Sequence, residues 1–264
     1  GGAVDPYAVE EARRKIEEYY QSKGYNQVQV TILEGTKPTD KGISFLIHEG
    51  ISQKVWDVEF VGNEFVSSGR LQAIIKSKPP ILKILKGYVS RTQIESDVDL
   101  LTAYYRAYGF FQAKVSRKVD YYERENWARI TFVISEGQRY QVRSVKFLGN
   151  SKFEPVALSE AAKLKGGAPF EQGKMSADSQ WIQELYGSHG YVFADVKPET
   201  VFLETPGQVD LLYHIDEGEQ FRVGRIFVHI GGDHPHTRIQ TALNRMSLRP
   251  GDIMDIRELK ASER

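Results

Sequence analysis

The sequence contains no cysteine. This absence excludes a disulfide framework, a thiol nucleophile, and zinc or iron–sulfur sites held by cysteine. The sequence also lacks an excess of charge of either sign, because 35 lysine and arginine residues match 35 aspartate and glutamate residues. A general nucleic-acid binder needs surplus basic groups to neutralise phosphates, so no nucleic-acid partner is expected.

Long apolar runs are absent as well, since none approaches the roughly 18 residues that a membrane-spanning helix needs. No signal-peptide pattern is present, and Gly1-Gly2 is typical of a cloning remnant, so we expect a soluble piece of a larger protein. The motifs Gly-x-Ser-x-Gly, Walker A and His-Glu-x-x-His are also missing. We therefore expect neither an enzyme nor a cofactor. Hydrophobic residues still make up 41% of the chain, which is enough for packed cores.

What the sequence does contain is an internal repeat with a period of about 80 to 87 residues. Three landmarks recur in constant order. The first is a Glu-Gly pair that ends an apolar run, at Glu49-Gly50, Glu136-Gly137 and Glu217-Gly218. The second is a glycine followed by an aromatic residue, at Gly24-Tyr25, Gly109-Phe110 and Gly190-Tyr191. The third is a Val-x-Phe-x-Gly-Asn segment, at 58–63 and 145–150 and more loosely at 226–232.

This period suits small domains in a row. The repeat predicts the C-terminal half of a unit at 1–53, complete units at 54–140 and 141–221, and the N-terminal half of a unit at 222–264. The linkers begin at Gly50, Gly137 and Gly218 and are only about five residues long, so consecutive units should touch at these joints in an elongated array.

Within a complete unit the local signals predict the order strand, helix, helix, strand, strand. The second helix is the clearest, because Ile94, Leu101 and Tyr105 recur at helical spacing and Ser90 with Gln93 forms a capping box. The economical way to bury these faces is a three-stranded mixed sheet covered on one face by two helices. The predicted fold class is therefore α+β, with tandem small β-α-α-β-β domains.

The strand order follows from which strands carry edge markers. The last strand of each unit is continuously apolar, as at 130–134 and 211–215, which is typical of a central strand. The strand before it carries Pro198 in one unit and Lys114, Arg117 and Lys118 in the other, which are residues that protect open edges. The predicted spatial order is first, third, second.

Each such edge offers an unpaired backbone to which an extended peptide can add as a strand. The candidate residues lie on the penultimate strand of each unit and are Val28, Val30, Ile32, Val115, Arg117, Val119, Tyr121, Val196, Thr200 and Phe202. The alternative is that these are ordinary edges that meet no ligand.

The repeated β-α-α-β-β unit, with its Val-x-Phe-x-Gly-Asn opening and Glu-Gly closing, resembles the POTRA domain. The segment 75–80 and the sequence Tyr104-Tyr-Arg-Ala-Tyr-Gly-Phe110 resemble that family in particular. POTRA arrays form the periplasmic arm of BamA-type outer-membrane assembly proteins. The resemblance implies a non-enzymatic scaffold that binds unfolded outer-membrane proteins and accessory lipoproteins. It also implies tethering to the outer membrane by a C-terminal β-barrel.

Two other segments have more than one interpretation. Ile81, Leu82, Ile84 and Leu85 form either an apolar patch for a partner or a helical turn packed on the second helix. His229, His234 and His236 lie near Asp233, but their Gly-Gly setting favours a connecting loop over a metal site.

Two functional alternatives to the assembly scaffold remain. One is a cell-wall or carbohydrate-binding envelope protein that uses surface aromatic residues, and the positions of Trp56, Trp127 and Trp181 distinguish this from the scaffold. The other is the POTRA region of a related secretion or translocation barrel (TamA-like).

Overall fold

The computed structural model describes residues 5–37, 40–79, 87–122, 126–229, 243 and 248–262. The chain forms two compact units. One consists of Gly1–Arg106 and Phe110–Gln138, and the other of Ala107–Gly109 and Arg139–Arg264. Among the described residues, the first unit contains two sheets and the second contains one.

The first unit begins with helix α1 (Pro6–Ser22) and the antiparallel strands β1 (Gln29–Glu34) and β2 (Ser44–His48). Just before β2, the Ile43 side chain is 55% exposed. Ile130 and Leu211 occupy the same position of the repeat and are 0% and 1% exposed. The difference arises because β2 pairs only with β1 in the described part of the chain, so no first strand covers its other side.

The second sheet of this unit contains β3 (Lys54–Val61), β4 (Lys114–Tyr122) and β5 (Trp127–Ser135), with helices α2 (Ser68–Ile74) and α3 (Arg91–Ala107). The spatial order is β3–β5–β4, with β3 parallel and β4 antiparallel to β5. The predicted order first, third, second is therefore confirmed. The apolar central strand β5 buries Ala128, Ile130 and Phe132 completely, as a strand flanked on both sides should.

The second unit repeats this plan with β6 (Gln141–Leu148), α4 (Pro155–Ala161), α5 (Gln172–Ser188), β7 (Asp195–Phe202) and β8 (Gln208–Asp216). Its sheet has the order β6–β8–β7. Equivalent ring pairs occupy the two cores. Phe60 stacks on Phe132 at 5.6 Å, and Phe147 stacks on Tyr213 at 5.4 Å. The predicted α+β class is confirmed.

The ends of the second helix have clear local causes. The Ser90 hydroxyl oxygen accepts a hydrogen bond of 3.3 Å from the Gln93 N–H, one half of the capping box. Gly109 ends the helical region with φ 92°, a left-handed conformation that glycine adopts without steric cost. The apolar stripe is buried as expected, since Ile94, Leu101 and Tyr105 are at most 1% exposed.

One predicted strand did not form. The partial unit at 222–264 predicts a first strand at 223–228 but no central strand to pair with it, and in the structure residues 222–229 contain only an isolated bridge between Arg222 and Ile253. The physical reason is that no central strand lies beside them in the described part of the chain. A short helix, α6 (Ile256–Ser262), follows.

Candidate peptide-binding edges

Strands β4 and β7 each lie at one side of a three-stranded sheet. Each has an antiparallel neighbour on one side, β5 or β8 respectively, and within the described ranges neither has a partner on the other side. Along an antiparallel pair, residues alternate between exchanging hydrogen bonds with the neighbour and directing their backbone groups away from it. The phase of this alternation decides which amides face the open edge.

The phase of β7 is set by the end of its hairpin. The Leu203 N–H donates to the Gln208 carbonyl at 3.3 Å, and the same register continues to Asp195 opposite Asp216. Odd-numbered residues of β7 therefore face β8. The residues that direct their backbone groups outward are Val196, Pro198, Thr200 and Phe202. Pro198 has no N–H, so its outward position removes no bond from the internal ladder.

Strand β4 has the same phase. Lys114 lies opposite Ser135, directly before Glu136, just as Asp195 lies opposite Asp216, directly before Glu217. The two hairpins also end alike. The carbonyls of Asn126 and Gly207, both at positive φ, accept hydrogen bonds of 3.0 and 2.8 Å from the first residues of β3 and β6. The outward-facing residues of β4 are therefore Val115, Arg117, Val119 and Tyr121, which are the four predicted there.

Strand β1 offers a shorter edge. Val30 and Ile32 lie within it, but Val28 precedes it, and the Val28 N–H donates to the Tyr25 carbonyl at 3.2 Å. This amide is therefore already used. The register also shifts between Ile32 and Glu34, which interrupts the ladder.

Charged side chains along these edges are largely paired with neighbours. Arg117 pairs with Glu95 on α3, and Lys118 pairs with Asp120 at 2.9 Å. On the other edge Glu199 lies 2.7 Å from His214 of β8. Exposed pairs of this kind contribute only about 0–1 kcal/mol each. The backbone is thus the principal binding element that an edge presents.

The Glu of the second and third Glu-Gly pairs has a role that the sequence reasoning missed. Glu217 accepts hydrogen bonds from the Ser151 and Lys152 N–H groups at 2.5 and 2.9 Å, and from the Tyr186 hydroxyl at 2.8 Å. Burial, with this hydrogen bond, raises the pKa of Tyr186. Burial alone would raise the pKa of Glu217, but its hydrogen bonds, led by that from Ser151, hold it below the usual value.

The loop contacts of this arrangement recur in the first unit, where the buried Tyr105 hydroxyl has no hydrogen-bond partner of its own among the described residues. Glu136 accepts from the Glu64 and Phe65 N–H groups, both at 2.9 Å. Burial and the nearby Glu136 raise the pKa of Tyr105. The matching signal was in the sequence, since Tyr105 and Tyr186 are separated by the same interval as Glu136 and Glu217.

Two fully buried aspartates were also missed. Asp97 on α3 accepts from the Lys76 and Ser77 N–H groups, both at 2.8 Å. Asp178 on α5 accepts from the Lys163 and Leu164 N–H groups at 2.7 and 2.9 Å. Each carboxylate thus fixes the segment that follows the preceding short helix. Buried charge of this kind is stable only when its oxygens are hydrogen-bonded.

The predicted joint glycines share one conformation. Gly50, Gly137 and Gly218 have φ of 73°, 71° and 63°, so each needs the left-handed freedom of glycine. In the linker that follows Gly50, both backbone groups of Gln53 form hydrogen bonds. In the first unit Gln53 donates to the Gly24 carbonyl at 3.1 Å and accepts from the Val89 N–H at 3.0 Å.

The three tryptophans are divided between the two units. Trp56 and Trp127 belong to the β3–β5–β4 sheet, whereas Trp181 lies on α5 of the other unit. Trp56 is 55% exposed, makes an edge contact with Tyr122 at 6.2 Å, and lies under the Arg129 guanidinium.

Some predictions fall outside the described residues. These are the patch Ile81, Leu82, Ile84 and Leu85, together with His234 and His236. In the part of the chain that is described, no group of three or more metal-ligating side chains comes together. Nor does any helix there have both the length and the apolar character needed to cross a membrane.

A family model for POTRA, described as "Surface antigen variable number repeat", matches residues 53–137 and 140–218, together more than half of the chain. The chain belongs to the POTRA family. The two matches begin just before β3 and β6 and end just after β5 and β8, so each contains one complete POTRA sheet with its helices.

Two proteins that are similar to this chain in sequence carry the name of an outer-membrane protein assembly factor. The protein "Outer membrane protein assembly factor BamA" of Neorickettsia risticii is 28% identical over 173 residues, 64% of this chain and 23% of that protein. The protein of the same name from Neisseria meningitidis is 25% identical over 254 residues, 93% of this chain and 32% of that protein. The chain thus spans between about a quarter and a third of the length of these relatives.

A solved structure shows the same fold. The crystal structure of Haemophilus influenzae BamA POTRA3-5 matches with a TM-score of 0.53 and 21% identity, covering 80% of this chain and 83% of that one. The resemblance to a POTRA array of a BamA-type factor is therefore confirmed.

Proposed function

We propose that this chain is part of the periplasmic arm of an outer-membrane protein assembly factor. In this role it is a non-enzymatic scaffold that holds extended segments of unfolded outer-membrane proteins as added β-strands. Family membership and the names of the relatives support the setting. The row of outward backbone groups on β4, at Val115, Arg117, Val119 and Tyr121, carries the proposal.

An extended segment of an outer-membrane strand alternates apolar and polar residues, so it already has the period of a β-strand. Pairing with β4 or β7 would satisfy its main-chain groups without requiring a particular sequence. That tolerance suits a scaffold that receives many different clients. Val115 and Val119 are only half-buried, so they also offer apolar contact to alternate side chains of the client.

Binding by this mode is weak and reversible. Each hydrogen bond contributes a net of only about 0.5–1.5 kcal/mol, and ordering the peptide cancels much of the sum. We therefore expect a dissociation constant of roughly micromolar or poorer. Weak binding lets a client leave for the next step of assembly.

The remaining partners follow from the same setting. A C-terminal β-barrel in the full-length protein would anchor the arm at the outer membrane, and accessory lipoproteins would dock on the POTRA units. The patch at Ile81, Leu82, Ile84 and Leu85 is a candidate surface for such docking. The joints at Gly50, Gly137 and Gly218 are candidate places for limited bending.

The test is a titration of the isotope-labelled chain with a synthetic peptide of alternating apolar and polar residues, followed through backbone amide shifts. Shifts should gather on residues 114–122 and 195–202. Val119→Pro removes an outward donor and should weaken binding, whereas Asp99→Lys, an exposed charge change on α3, should not. Shifts confined to the helical face would show that strand addition is the wrong mechanism.

A further inference from the structure

We infer that β4 is the principal client edge of this chain and that Pro198 restricts the equivalent edge of β7. This rests on the proposed function. The observation behind it is the phase of the two ladders, which places Pro198 and Arg117 at the same outward-facing position.

Pro198 interrupts the donor row of β7 near its centre. The outward donors nearest to it are at Val196 on one side and at Thr200 on the other. A strand added there would leave one of its carbonyls without a donor. The proline ring also carries a Cδ atom where the amide hydrogen would be, so the ring projects toward an incoming strand. Proline at an edge is a recognised protection against pairing with another chain.

Strand β4 has no such interruption. Its outward donors at Val115, Arg117, Val119 and Tyr121 follow one another at every second residue, which is the spacing that an added strand requires. The Arg117 side chain pairs with Glu95 on α3, which holds the guanidinium against the helix. The edge of β1 is shorter, because Val28 is already bonded and the register shifts after Ile32. Among the described penultimate strands, β4 therefore has the longest continuous row.

The experiment introduces a proline on the β4 edge and, separately, removes the proline from the β7 edge. Arg117→Pro gives β4 the interruption of β7, and Pro198→Ala returns the missing donor to β7. Glu95→Gln is the matched control, because it removes the ion pair of Arg117 without touching the backbone of β4. Each variant of the full chain is titrated with the same alternating peptide, and the shifts of residues 114–122 and 195–202 are fitted separately.

In the unmodified chain, the peptide should bind the 114–122 edge more tightly than the 195–202 edge. Arg117→Pro should weaken binding at 114–122 by about 2- to 12-fold, the value of one net hydrogen bond. Pro198→Ala should strengthen binding at 195–202 by a similar factor, and Glu95→Gln should leave both unchanged. If Arg117→Pro does not fold, the affinity of Pro198→Ala at 195–202 still tests whether Pro198 restricts that edge.

Equal affinity at both edges with no gain in Pro198→Ala would overturn this inference and leave strand addition intact. An absence of shifts on either edge, in every variant, would instead contradict the proposed function and the inference with it.

Discussion

The Tyr186 hydroxyl donates a hydrogen bond of 2.8 Å to the Glu217 carboxylate, which also accepts from two backbone N–H groups of the loop after β6. One carboxylate thus joins the second helix, the end of the central strand and the loop after the first strand. In the two complete repeats, Glu136 and Glu217 both accept hydrogen bonds from N–H groups of this loop, which accounts for the glutamate of their closing Glu-Gly pairs. The glutamate fastens the loop, and the glycine then allows the backbone to turn away.

Tyr186→Phe should lower the free energy of unfolding by about 1.5–3 kcal/mol, because it removes a hydrogen bond to a charged group. Tyr191→Phe is the control, since it removes a hydroxyl from the ring that contacts Tyr186 and keeps the ring contact. Urea unfolding of both variants is the measurement. Equal loss in the two variants would contradict the role given to the Glu217 bond.

Asp178→Asn should destabilise the second unit by at least about 2 kcal/mol. An asparagine side chain has only one acceptor oxygen, and its NH₂ group would face a backbone N–H in a fully buried site. Hydrogen exchange should become faster at the Lys163 and Leu164 amides before it does in the sheet. Unchanged protection of these two amides would show that the carboxylate does not hold the segment.

Asp210 gives a predicted pH dependence. It accepts hydrogen bonds from Arg143 and Ser144, and these, chiefly that from Arg143, lower its pKa from the usual 3.8 to about 2. A depressed pKa in the folded state adds stability that is complete above the unfolded value and is lost as the pH falls through the folded value. The stability difference between the unmodified chain and Asp210→Asn should therefore be constant above about pH 4 and shrink toward pH 2. A difference that does not change over that range would be inconsistent with the depressed pKa.

Gly24→Ala tests the first joint, because the Gly24 carbonyl accepts a hydrogen bond from Gln53 in the linker after Gly50. Gly24 has φ 86°, and an added Cβ would lie 2.7 Å from the Gln53 carbonyl oxygen. A left-handed alanine alone costs roughly 1–2 kcal/mol, and the contact adds to this. Faster exchange of the Gln53 and Val89 amides is expected. Gly69→Ala on α2 is the control, because its Cβ meets nothing within 4 Å, and it should be neutral or slightly stabilising.

The order of the strands could be predicted because edge strands and central strands differ in amino-acid composition. Pro198 is compatible only with a position whose amide faces away from the ladder, and the apolar run at 130–134 only with a buried strand. The same reasoning predicted a first strand at 223–228 without a central strand to pair with it, and no strand forms there in the structure. Local pattern indicates what a segment can form, and pairing decides whether it does.

The carboxylate contacts could not be predicted in the same way. Asp97 and Asp178 occur on helices where an aspartate is usually solvated, and only the fold shows that backbone amides about 15 to 20 residues earlier point at them. Sequence gives the spacing of such residues but not the direction of a side chain. The available signal was recurrence, since Asp97 and Asp178 are separated by the same interval as Tyr105 and Tyr186.

The most direct test of strand addition is residue-by-residue hydrogen exchange along β4, with and without saturating peptide. In the free chain the amides of Val115, Arg117, Val119 and Tyr121 should exchange fast and those of the alternate residues slowly. With peptide bound, the first set should become protected and the second should not change. Protection that ignores this alternation, or that appears only on α3, would contradict strand addition at β4.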